Sequence, residues 1–285
     1  MPTKTPEELI ADASAWWETS IIDIHPGKIA IRGYPIEELI GRVRFPDMIW
    51  LMLRGELPTR GQSELLEAAL VPGVDHGPHA PSIAISRMAV TCGLPVNGAM
   101  ASAVNVLDDV HGGAGQQCME LYREIDAAAG PAGDLVAAAT TIIRARREAG
   151  DKIVPGFGHR FHPVDPRVVP LFRLVDRAVA AGDAAGRFAA VGHAVEDALA
   201  AITGRRITMN IDGITAVIFC ELGFEPELGR GLFALSRSVG ILAHAWEQKQ
   251  RGGRIKGPMP TSISFKYSGP ARRVLPPEYL QEENR

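Results

Sequence analysis

Cysteine is scarce in this 285-residue chain: Cys92, Cys118 and Cys220 are widely spaced and odd in number. That usage fits buried thiols in a reducing compartment better than a disulfide framework or a zinc site. Charge of one sign is missing too, since 30 basic residues stand against 33 acidic ones for a formal charge of −3. Without a basic excess the chain lacks the phosphate-tracking surface of a nucleic-acid binder. No run approaches the roughly 18 apolar residues of a membrane span; the richest stretches, Met48–Leu53 and Ile214–Cys220, are far shorter. The opening Met1-Pro-Thr-Lys-Thr-Pro-Glu-Glu has neither the basic start nor the apolar core of a secretory signal. A soluble, cytosolic globular protein of one or two domains is expected from 46% hydrophobic and 22% charged residues.

Aromatic residues are also few, at 6%, and most segments repeat their apolar residues at helical rather than alternating spacing. The chain therefore reads as mainly α-helical. An early exception is Ser20–Ile24 and Ile29–Arg32 around His25-Pro-Gly-Lys28, two β-branched runs about a turn, which predict a hairpin. Helices are predicted over Pro6–Trp17, Pro46–Leu53, Gly61–Leu70, Ala80–Thr91, Val96–Asp109, Gly115–Ala129 and Asp134–Ala149. Further ones follow over Pro166–Ala180, Ala184–Ile202, Gly213–Leu222 and Glu227–Gln250. The intervening loops carry most of the histidines, and loops on a rigid scaffold are where chemistry concentrates.

Several familiar site patterns are absent. The pairs His76/His79 and His159/His162 lack the spacing that faces two metal ligands from one helical turn. No GxSxG elbow, P-loop or dinucleotide fingerprint is present. Cys118 falls inside an amphipathic helical pattern, poor surroundings for a nucleophile, and His193 and His244 lie in helical patterns where structural histidines are commoner. What remains is a set of glycine-flanked loops. His111 precedes Gly112-Gly113 and a helix start, where a positive field would keep it neutral and able to donate to an oxyanion; a capped histidine in a helix connection is the alternative. Pro155-Gly156-Phe157-Gly158 presents His159 at the edge of a loop suited to an extended ligand, or is an ordinary helix connection. Asp212, in Asn210-Ile-Asp-Gly, reads from spacing alone as an N-cap.

In order, Val110-His111-Gly-Gly-Ala, Pro155-Gly-Phe-Gly-His159-Arg, Asp165-Pro-Arg167, Asn210-Ile-Asp212 and Ser236-Arg237-Ser-Val-Gly-Ile-Leu-Ala-His244 resemble the citrate synthase superfamily. So does Arg32-Gly-Tyr-Pro-Ile-Glu-Glu-Leu after the hairpin, and the likeness covers nearly the whole chain. The chain is short for a citrate synthase, and Asp75-His76-Gly-Pro, Asn210-Ile-Asp-Gly and Glu247-Gln-Lys resemble the citryl-CoA lyase part of ATP-citrate lyase. His111 follows the synthase pattern. Near the end, Ser262–Gly269 aligns Ser264 with an arginine that in the family reaches a substrate carboxylate across a dimer, with Lys266 nearby.

The resemblance implies an all-α, two-domain helical fold with a short N-terminal hairpin, acting as a homodimer. Residues 1–114 and 224–285 would form the large domain and residues 115–223 the small one. It implies condensation of acetyl-CoA with oxaloacetate, or the reverse cleavage of citryl-CoA, with no cofactor beyond the coenzyme A thioester itself. In that chemistry Asp212 takes the proton beside the thioester, His111 donates to the enolate oxygen and His159 polarises the oxo acid's carbonyl. His76, Arg167 and Arg237 would hold the oxo acid and Pro155–Gly158 would meet CoA, while Arg205 and Arg206 would either meet its phosphates or stand as a solvated basic pair. A catalytically silent subunit or regulator could have lost the three acid/base residues, all of which are present.

Overall fold

The structure is a computed structural model that describes residues 4–159, 163–255, 257, 260, 262–276 and 279. Arg160 and His162, named in the motifs above, lie outside the described residues, as do most residues of the polar tail after Pro276. The chain begins with α1 (Pro6–Trp16), then β1 (Ile22–His25), β2 (Lys28–Ile31) and β3 (Tyr34–Pro35). β1 and β2 pair antiparallel with His25 opposite Lys28, so the turn is only Pro26-Gly27, with Gly27 at φ +76° as the second turn residue of that kind requires. The predicted hairpin is thus present and gains a third strand, because β3 pairs back onto β2 before the single turn α2 (Ile36–Leu39).

From there the fold is helical: α3 (Phe45–Arg54), α4 (Arg60–Leu70), a 3₁₀ turn at Val71–Gly73, α5 (Pro81–Thr91), α6 (Val96–Val104), α7 (Ala114–Ala129) and α8 (Leu135–Glu148). It closes with α9 (Val168–Ala181), α10 (Arg187–Thr203), α11 (Ile211–Glu221) and the long α12 (Pro226–Arg251). The main core is shared by α3, α4 and α7–α11, through residues such as Leu66, Met119, Tyr122, Ile143, Val175, Val195 and Val217. A smaller core of Ala80, Ile83, Ala103 and Ile241 joins α5, α6 and α12.

One predicted boundary is corrected. The helical pattern runs from Val96 to Asp109, but α6 stops at Val104. Beyond it Asp108 N–H donates to the His111 carbonyl (2.9 Å), and Arg230 of α12 forks onto Asp108 and Asp109. The competing winner is tertiary: a guanidinium holding two adjacent carboxylates favours a turn over a further helical turn.

α11 ends in an acid that stabilises a different helix. Gly186 gives α10 no side-chain cap; instead Glu221 accepts from Ala185, Gly186, Phe188 and Ala189 N–H at 2.6–3.1 Å. A carboxylate at a helix N-terminus satisfies orphan donors and opposes the dipole. We expect Glu221→Ala to cost about 1–3 kcal/mol, read as a fall in the urea midpoint at unchanged slope. A variant as stable as the parent would show that water replaces those four contacts.

Candidate active site

Asp212 enters the site through the start of α11, and its neighbours fix where it points. The cap is Asn210, not Asp212: its Oδ1 accepts from Asp212 N–H (2.9 Å) and Gly213 N–H (3.3 Å). This corrects the N-cap reading of Asp212 and leaves its carboxylate free of capping duty. Asn210 in turn is braced by the glycine loop, its N–H donating to the Gly156 carbonyl (2.9 Å) and its Nδ2 to the Gly158 carbonyl (2.7 Å). Gly156 sits at φ +84°, and a Cβ there would lie 2.5 Å from Cys118 Sγ and 2.8 Å from Gly213 Cα. Only glycine fits so close an approach. Cys118 and Tyr122 are fully buried beneath it, and burial pushes the Cys118 thiol well up, so it is no thiolate nucleophile.

Arg167 is held by an acid that the sequence motif quoted without assigning. Asp165, 1% exposed, accepts from Arg167 Nε (2.9 Å) and Nη2 (2.8 Å), and also from Ile211 N–H (3.0 Å) at the start of α11. Burial opposes its charge, yet these bonds hold the Asp165 carboxyl below its ordinary range. One buried carboxylate therefore ties the guanidinium to the helix that carries Asp212.

His111 is oriented from across the fold. Ser82, in the first turn of α5, donates its backbone N–H to His111 Nε2 (3.2 Å), with Ser82 Oγ 3.0 Å from the same nitrogen. A backbone N–H can only donate, so Nε2 holds the lone pair and the ring proton sits on Nδ1. Burial first, and then the positive groups Arg237 and His76, hold the imidazole below its usual range. His111 is thus a neutral ring with one N–H to offer. The N–H that meets the ring belongs to the first turn of α5 rather than to the helix that follows His111.

Arg237, 6% exposed on α12, donates Nε to the Gly73 carbonyl (3.0 Å) and lies 4.9 Å from the centre of the Phe233 ring. That leaves the terminal nitrogens of its fork for a ligand. Around them runs a cavity of about 370 Å³ lined by His76, His111, Arg167, Asp212 and Arg237, with Thr215, Phe219 and Phe233 among its walls. Asp212 sits in it with its carboxyl raised above the ordinary range: burial is the largest cause and Asp165 adds to it, while Arg167, Arg237 and His76 pull the other way.

Five of the residues singled out from sequence therefore converge. Others do not line this cavity. His159 is half-buried one residue beyond the glycine loop, Phe157 turns inward onto Tyr122 with ring centres 6.3 Å apart, and Arg205 and Arg206 are exposed. Ser264 and Lys266 are exposed on the chain beyond α12. Sequence reasoning missed Ser82, Asp165 as the Arg167 partner, Asn210 as the cap and Phe233; of these, Asp165, beside Pro166-Arg167, and Asn210, a cap-forming residue at a helix start, carried a local signal.

A desolvated carboxylate, a neutral histidine and two arginines thus meet round one cavity of a helical fold, groups able to move a proton and to pair with carboxylates. The model described as citrate synthase, C-terminal domain, matches residues 12–71 and 60–258, and the chain belongs to the citrate synthase family. It is 30% identical over 210 residues to a citrate synthase of Haloferax volcanii, covering 72% of this chain and 52% of that one. The chain thus spans about half the length of the curated relatives it matches. Among solved structures it is similar to citryl-CoA lyase from Hydrogenobacter thermophilus, at a TM-score of 0.81 and 30% identity over 93% of this chain and 99% of the other. The ternary complex of carboxymethyl coenzyme A and oxaloacetate with citrate synthase from Thermoplasma acidophilum shares the fold, at a TM-score of 0.67 and 22% identity over 84% and 60%. Among the described residues, no helix is long and apolar enough to cross a membrane.

Proposed function

We propose that the protein is an enzyme that makes or breaks a carbon-carbon bond between an acyl-CoA and a 2-oxo acid. The reaction is citryl-CoA cleavage to acetyl-CoA and oxaloacetate, or a citrate synthase-like condensation in the reverse sense. The observation that carries this reading is the meeting of Asp212, His111, His76, Arg167 and Arg237 in one cavity. In the condensing direction Asp212 removes the α-proton of the thioester while His111 Nδ1–H stabilises the enolate oxygen, and the new carbanion attacks the oxo acid's carbonyl. His159 polarises that carbonyl, and the two guanidiniums match carboxylates. The alkoxide so formed takes up a proton to give citryl-CoA, and water must then attack its thioester to release the free thiol; cleavage runs the carbon-carbon step backwards, from citryl-CoA to acetyl-CoA and oxaloacetate. The end-to-end similarity to the Hydrogenobacter lyase favours cleavage.

The rest of the reading follows from the same family. Residues 115–223 act as a small domain closing on residues 1–114 and 224–285, which would exclude water before the enolate forms. The glycine loop at 155–158 and the exposed Arg205 and Arg206 meet CoA, and the chemistry calls for no cofactor beyond that thioester. A homodimer is supported by the outer face of α12, where Leu235, Val239, Leu242 and Trp246 stand 44–57% exposed at helical spacing.

The deciding experiment is free-thiol release from acetyl-CoA or propionyl-CoA with a panel of 2-oxo acids, run beside citryl-CoA cleavage. Turnover in neither assay refutes the proposal. A further expected outcome concerns His159: His159→Ala spares CoA binding and α-proton exchange but loses about 2–4 kcal/mol of transition-state stabilisation. Unaltered turnover would remove His159 from the mechanism.

A further inference from the structure

α12 does more than supply Arg237. Along one face it follows the segment that ends in His76: Ser236 Oγ donates to the Leu70 carbonyl (2.5 Å), Arg237 Nε to Gly73 and Gly240 N–H to Val74 (3.1 Å). A Cβ at Gly240 would stand 2.1 Å from the Val74 carbonyl oxygen, so helix and segment are in backbone contact there. One turn further on, His244 Nε2 meets Asp75 Oδ1 at 3.3 Å. The other oxygen of Asp75 accepts from Gly77 N–H (3.1 Å), so this carboxylate clamps the backbone on both sides of His76.

The polarity of this bridge is fixed. Arg87 of α5 brings Nη1 to 3.3 Å from His244 Nδ1. Arginine only donates, so Nδ1 holds the lone pair and Nε2 carries the proton given to Asp75. Arg87 is itself anchored by Glu247 of α12 (2.6 Å), and Arg251 pairs with the other Glu247 oxygen (2.7 Å). The charged groups facing His244 are therefore Asp75 from the loop, Arg87 from α5 and Glu247 from its own helix, with Arg251 behind the last. His244 lines no part of the cavity that holds Asp212.

We propose that His244 is a positioning residue for His76, acting through Asp75. It fixes the turn from which His76 reaches the substrate, and it does so as an oriented bridge that accepts from Arg87 and donates to Asp75. The proposal rests on the reading of His76 as a ligand of the oxo acid. Glutamine can accept and donate in the same sense, whereas leucine can do neither.

The test combines a substrate-free spectrum with kinetics on full-length protein. With ¹⁵N- and ¹³C-labelled histidine, the His76 ring resonances, assigned by their loss in His76→Ala, should move or broaden in His244→Leu and stay near their parent positions in His244→Gln. In the parent, His244 should show the Nε2–H tautomer. Kinetically, His244→Leu should raise the KM for the oxo acid, or for citryl-CoA, about tenfold with kcat and the KM for acyl-CoA little changed. The same substitution should add nothing further in a His76→Ala background, and His244→Gln should restore the parent KM. Unmoved His76 resonances in a folded His244→Leu variant overturn the proposal, as does a KM effect that persists without His76. If His244→Leu does not fold, an His244→Gln variant with displaced His76 resonances and a raised KM overturns it equally. Resonances that respond as expected in a protein with no turnover in any assay would support the positioning and refute the functional reading instead.

Discussion

Asp212→Asn should abolish carbon-carbon chemistry and, with it, deuterium exchange at the acyl α-carbon, lowering the exchange rate about 10²–10⁴-fold. The amide cannot accept the proton, and among the described residues no second carboxylate lines the cavity. Burial raises the Asp212 carboxyl, which brings its basicity nearer that of a useful proton acceptor. The sign of the pH dependence follows: the rate is lost as pH falls through that raised pKa, so the acid limb lies above that of an ordinary carboxylate. Stability should move the opposite way. A folded state that binds this proton more tightly than the unfolded chain loses stability as pH rises from the ordinary carboxylate value through the raised one, and carries the full cost of the charge above it. A permanently neutral side chain escapes that cost, and the helix keeps its cap because Asn210 supplies it. Asp212→Asn should therefore melt at or above the parent's temperature at neutral pH. Near-normal exchange in such a folded variant would exclude Asp212 as the base, and a large fall in melting temperature would mean that its ion pairing outweighs its burial.

His111→Ala should remove the donor to the enolate oxygen and slow turnover about 10²–10³-fold, the usual cost of one oxyanion contact. Because the same hydrogen bond acts while the proton leaves, exchange and bond formation should fall together, unlike the His159 variant, in which exchange survives. Oxo-acid binding measured by calorimetry should change little, since Arg167 and Arg237 keep their own anchors in Asp165 and Gly73. Ser82→Pro offers a second route to the same site. It deletes the N–H that sets the ring's tautomer while the residue stays in the first turn of α5, where proline is tolerated. It should give part of the same loss, and intact exchange in both variants would exclude His111 as the enolate donor.

How far the sequence reached depends on where each signal resides. The long helices were legible because α4, α7 and α9–α12 bury a stripe of apolar residues and periodicity records that locally. β3 and α2 were not, being too short for any period to show. The end of α6 was misread because Val106 and Leu107 continue the apolar pattern while Arg230, more than 120 residues away, decides the turn. At the start of α11 two cap-forming side chains stand two apart, and only the coordinates show which one caps. His111 stood out through its glycine-flanked loop, whereas Asp212, Arg167, Arg237 and His76 were singled out only through the resemblance to the citrate synthase superfamily. Ser82 was invisible, since a backbone N–H in a helical first turn has no residue-type signature.

α12 grips two loops from one uninterrupted helix. Arg230 holds the turn before His111, and Arg237 holds the segment before His76. These two anchors are seven residues apart, two helical turns, or about 10 Å along the axis. The helix thus works as a ruler: the interval between the loop that carries His111 and the loop that carries His76 is set by helical rise rather than by loop conformation. A residue inserted between Arg230 and Arg237 would swing one anchor about 100° around the axis and take the two loops out of phase while leaving every residue at the site intact.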